Sequence, residues 1–102
     1  MVNYIETDYR DGVALLRASI CNALQAIDQG AIDNVEYEFI SEHLVLDCVT
    51  RLNWEVTKKK LSPKNILYYV TSENNVCVEI LIDLITGVVN ITKNDKKSNT
   101  DV

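Results

Sequence analysis

The sequence predicts an α+β fold: a long N-terminal helix and a second helix packed on a mainly antiparallel sheet of three to four strands from the C-terminal half. Three observations carry this expectation. Apolar residues recur at steps of three and four between about Asp8 and Gly30. Near Trp54 the apolar period changes from that of a helix to two. The β-rich segments beyond it are separated by short turn-prone connections, which favours neighbouring antiparallel strands over distant ones.

In the first element Val13, Leu16, Ile20, Leu24 and Ile27 form one stripe, the pattern of a helix that buries one side. Thr7, Asp8 or Asp11 offers a side-chain oxygen for the N-cap, and Gly30 suits the left-handed position past the last turn. The segment 34–52 mixes two periods. Val35, Tyr37 and Phe39 alternate with Glu36 and Glu38, whereas Leu44 or Val45, Cys48, Leu52 and Val56 continue at helical spacing behind Ser41. A helix from about Ser41 to Leu52 is expected, and residues 34–40 read either as its extension or as a short strand.

From Trp54 onward, WEVTK, ILYYVT, VCVEILIDL and VVNIT are rich in β-branched and aromatic residues, with KLSPKN, SENN and ITG between them. The last three segments form a meander, turning at Ser72 to Asn75 and at Thr86-Gly87. In the third, Val76, Val78, Ile80 and Ile82 make a wholly apolar face, and Cys77, Glu79, Leu81 and Asp83 a mixed one. The polar run KNDKKSNTDV closes the chain. The reading is therefore a single α+β domain over residues 1–92 and a disordered tail over 93–102.

Composition agrees with a globular chain. Of 102 residues, 47% are hydrophobic and 25% charged, neither the depletion of a disordered chain nor the excess of a membrane protein. The beginning MVNYIETDYRDG lacks the basic and apolar regions of a signal peptide, and the most apolar window is interrupted by Glu79 and Asp83, so a cytoplasmic location is expected. Cys21, Cys48 and Cys77 are odd in number, widely spaced and flanked by aliphatics. They read as reduced core residues rather than a disulfide framework.

Chemistry-bearing patterns are scarce, and no enzyme, cofactor or metal site is expected. The chain has one histidine and no Cys-x-x-Cys, and Gly12, Gly30 and Gly87 are too scattered to cradle a phosphate. His43 and Asp47 are four apart, within reach on a helix, but no nucleophile or oxyanion loop accompanies them. A formal charge of -5 and an isoelectric point near 4.7 disfavour direct nucleic-acid binding. Lys58, Lys59, Lys60 and Lys64 form the one basic cluster, which reads as an edge strand guarded by lysine.

Negative charge is localised. Positions 18–50 hold Asp28, Asp33, Glu36, Glu38, Glu42 and Asp47 and no Lys or Arg. Such a run costs stability by self-repulsion, which points to a partner. The candidate partner-binding residues are Asp33, Glu36, Tyr37, Glu38, Phe39, Glu42 and Asp47, with apolar anchors among acids. In character, though in no motif, the chain resembles small acidic immunity proteins, antitoxins and inhibitors that imitate DNA. The resemblance implies an inhibitor that neutralises a basic partner such as a nuclease toxin. The alternative is a homo-oligomeric interaction module with Leu81 and Tyr68 or Tyr69 at its interface.

Overall fold

The structure, a computed structural model, describes residues 2–94, with side chains from residue 12 onward. Helices α1 (Val2–Asp28) and α2 (Glu42–Arg51) pack on one face of an antiparallel sheet. Its strands are β1 (Asn34–Glu38), β2 (Glu55–Leu61), β3 (Asn65–Thr71), β4 (Cys77–Asp83) and β5 (Val88–Lys93), in spatial order β1-β5-β4-β3-β2. The α+β class is the one expected, with five strands instead of three to four. The extra strand is β1, within residues 34–40, which the mixed period of the segment 34–52 left open as a strand or an extension of the following helix. Pairing with β5 decides it, since Val35 opposite Ile91 and Tyr37 opposite Val89 extend the apolar inner face.

Strict alternation organises the sheet. Along β3, β4 and β5 every second residue is buried: Ile66, Tyr68 and Val70, then Val78, Ile80 and Ile82, then Val89 and Ile91. They meet Ile20, Leu24 and Ile27 of α1 and Val45, Cys48 and Val49 of α2 in one core. Each aliphatic side chain so buried stabilises the fold by about 1.5–3 kcal/mol before the entropy of ordering is charged against it.

Both helices end in the same way. Past α1, Gly30 takes φ 81°, its N–H donates to Ile27 O at 3.1 Å and that of Ala31 to Ala26 O at 2.9 Å. Past α2, Asn53 takes φ 60°, donates to Thr50 O at 3.0 Å, and Trp54 N–H reaches Val49 O at 3.0 Å. These are paired Schellman closures, with Gly and Asn as the residues that best tolerate the left-handed turn. At its start α2 is capped as expected, Ser41 Oγ accepting from His43 N–H at 3.1 Å. The start of α1 differs from expectation. The helix runs from Val2 straight through Thr7, Asp8 and Asp11, so none of these is its N-cap.

Lys93 belongs to β5 rather than to the tail. The rest of that tail, expected to be disordered, lies outside the described residues from 95 on. All three cysteines are free thiols, but only Cys48 is fully buried. Cys21 is half-buried beside the core, and Cys77 lies on the outer side of β4. Among the described residues no helix is long and apolar enough to cross a membrane.

One polar staple fixes α1 against the sheet. Asp28 accepts from Ser72 Oγ at 2.5 Å and from Asn74 Nδ2 at 2.8 Å, while Ser72 Oγ also receives the N–H groups of Asn74 and Val76. An acid in the last turn opposes the helix dipole by about 0.3–1 kcal/mol, so Asp28 is stabilising only through these tertiary bonds. Asp28→Ala is expected to lower stability by about 1–2 kcal/mol in urea denaturation, because it leaves the buried Ser72 hydroxyl without its acceptor.

Candidate functional site

The acidic stretch divides in two once it is folded. Glu36 and Glu38 lie exposed on the outer face of β1, an edge strand, and Asp33 is exposed just before it. None of these three carboxylates has an ion-pair partner among the described residues. Asp28, Glu42 and Asp47 are committed elsewhere, Asp28 to the staple above.

Glu42, in the first turn of α2, accepts the Tyr68 hydroxyl and lies 3.9 Å from Lys59 Nζ. Burial, then the bond to Glu42, raises the pKa of Tyr68 above the ordinary tyrosine value. Lys59 also sits 5.3 Å from the Tyr68 ring centre, closing a small network under the start of α2. Asp47 Oδ2 accepts from Arg51 Nε at 2.9 Å. Arg17 Nε approaches the same oxygen at 3.2 Å without hydrogen-bond geometry. The Arg51 hydrogen bond is the main cause that holds the Asp47 carboxyl below its ordinary value, with both arginine charges adding to it. Asp47 is thus turned to arginines, and His43 stands exposed apart from it.

The two aromatic candidates differ in the same way. Tyr37 faces the helices, half-buried, its hydroxyl 3.1 Å from Ser19 Oγ. Phe39 is 82% exposed, the most exposed of the large apolar side chains among the described residues. Its backbone sits at φ 58°, a region costly for a bulky residue. The conformation is held by Phe39 N–H donating to Gly87 O at 2.9 Å, with the ring lying over Gly87. A Cβ at position 87 would stand 2.9 Å from Phe39 Cδ1, so the glycine supplies both the φ of 79° and room for the ring. Gly87 is legible in the sequence as a turn residue, but nothing local reveals its contact with Phe39.

Of the residues expected at an oligomeric interface, Leu81 and Tyr69 lie on the outer face of the sheet, whereas Tyr68 is core and cannot serve there. No protein-family model, curated protein or solved structure matches the chain.

Folding that depresses the Asp47 and Asp83 carboxyls, the latter through the Thr86 and Ile85 backbone N–H groups, contributes stability above the unfolded value of 3.8 and loses it as pH falls through the folded values. The acid-induced fall in Tm between about pH 5 and pH 2 should therefore be shallower in Asp47→Asn and Asp83→Asn than in the parent protein. The Cys48 thiol is pushed up to about 12, first by burial and then by the adjoining Cys21 thiol. Iodoacetamide at pH near 8 should modify Cys21 and Cys77 in the native protein and spare Cys48, which reacts only on unfolding.

Proposed function

We propose that this is a small acidic binding protein that neutralises a basic protein, such as a nuclease toxin, in the manner of an immunity protein or antitoxin. Asp33, Glu36 and Glu38 draw in the partner, and Phe39 is the apolar anchor. The observation that carries the reading is Phe39 itself. A large ring held in the left-handed region at the end of an acidic edge strand costs backbone strain and apolar exposure, and a binding site is where both costs are recovered. The role is one of binding rather than catalysis, and the cytoplasm is its proposed location.

Steering by exposed carboxylates is screened within about 8 Å at physiological salt, so association with the physiological partner slows as salt rises. Capture from the native cytoplasm should recover a basic protein that moderate salt releases. Reversing Glu36 and Glu38 to Lys should slow association at least tenfold and leave dissociation nearly unchanged, whereas Phe39→Ala should speed dissociation with Tm preserved. Tyr37→Ala should instead lower Tm, because its ring lies against the helices. A partner whose binding ignores all three of Glu36, Glu38 and Phe39 would overturn the proposal.

A further inference from the structure

We infer that the uncovered outer face of the sheet is a homodimer interface, closed by a two-fold axis running along the strands between β3 and β4. This inference does not rest on the proposed binding role of β1. An antiparallel sheet with one face in water ordinarily turns polar residues outward. Here Leu67, Tyr69, Leu81 and Val88 occupy that face. The register sets two rows across it. One reads Glu36, Asn90, Leu81, Leu67, Lys60 and the next Asn34, Thr92, Glu79, Tyr69, Lys58.

Charge selects both the occupant and the axis. Lys58 and Lys60 reach inward over the Tyr69 ring, with Nζ at 5.9 Å and 5.6 Å from its centre, so positive charge stands above β3. Glu79, on the adjoining β4, makes no ion pair among the described residues. A second copy turned about the strand direction lays its β4 over this β3. Each Glu79 then meets the lysines above the other copy's Tyr69, and each Leu81 meets the other copy's Leu67. Glu36 falls at the rim beside the mate's lysines. Rotation about an axis across the strands would instead stack lysine on lysine and acid on acid. The selected arrangement is isologous and therefore self-limiting.

Two sheets so related pack aligned, about 10 Å apart, as in a β-sandwich. With the axis between β3 and β4, the four strands β2 to β5 overlap their counterparts; about 4.8 Å apart and about 23 Å long, they cover roughly 400 Å² in projection, which side-chain relief raises toward the lower end, about 600 Å² per partner, of ordinary interfaces. Glu55, at the far end of β2, and Asp83, whose carboxylate is bound to its own turn, lie outside the central rows.

Sedimentation equilibrium of the full chain tests the proposal. A mass twice the 11.6 kDa of the chain is expected at tens of micromolar, dissociating on dilution. Leu81→Glu should give a monomer with an unchanged circular dichroism spectrum, the side chain being on the outer face. Lys58→Glu with Lys60→Glu should weaken the dimer at least tenfold at low salt, as should Glu79→Lys alone, and combining all three should restore it. A chain that stays monomeric to hundreds of micromolar overturns the inference, as does a dimer indifferent to Leu81→Glu. A folded triple variant that fails to recover the dimer overturns the two-fold arrangement. No outcome involves the β1 acids or Phe39, so failure here leaves the proposed binding role standing.

Discussion

The strict alternation of buried and half-buried residues along β3, β4 and β5 is the constraint on which the rest of the molecule depends. With Val70, Val78, Ile80, Val89 and Ile91 all on one side, one face must be covered, and both helices are spent covering it. A one-residue slip anywhere in the meander would turn these side chains to water, so the register is held by the core itself. Covering one face with two helices leaves three kinds of surface on the sheet: an open outer face, an acidic edge at β1 and a basic edge at β2. The surfaces invoked for binding and for self-association all descend from that division.

How far the sequence foretold this depends on how local each determinant is. The α1 stripe, the Ser41 cap, the Gly30 closure and the β3 to β5 meander are written in residues close together in the chain, and each appears where its pattern placed it. β1 is different. Its five residues alternate as a strand does, but the helical spacing that begins just beyond them leaves open whether they extend α2, and only pairing with β5, far along the chain, makes them a strand. Thr7, Asp8 and Asp11 misled for a local reason, each being a good cap type although the chain continues in helical conformation through all of them.

The acidic stretch shows the same limit at the level of charge. Between positions 18 and 50 no base is present, yet folding brings Arg17 and Arg51 to Asp47 and Lys59 to Glu42. Runs of charge are counted along the chain, but repulsion is settled in space. Among the described residues, Asp33, Glu36 and Glu38 are the acids of this stretch whose carboxylates are left without an ion pair or tertiary bond. Phe39 was legible as one of the apolar anchors, but its conformation and its seat were not, since aromatic residues seldom adopt positive φ and the glycine beneath the ring lies 48 positions away in sequence, from 39 to 87.

Opposite charge on the two sheet edges raises a hazard of its own. An acidic β1 and a basic β2 could pair head to tail, copy after copy, and such a heterologous contact does not close. The β2 edge carries what prevents this. Its ladder is broken by a register shift between Val56 and Lys58, which twists the strand at that point. Lys59 points to the helix side, bound to Glu42 and over the Tyr68 ring, where an added strand would have to bury it. Neither device is present on β1, whose ladder to β5 is regular through all five residues. The molecule therefore guards one edge and leaves the other open, and the open edge is the one that ends in Phe39.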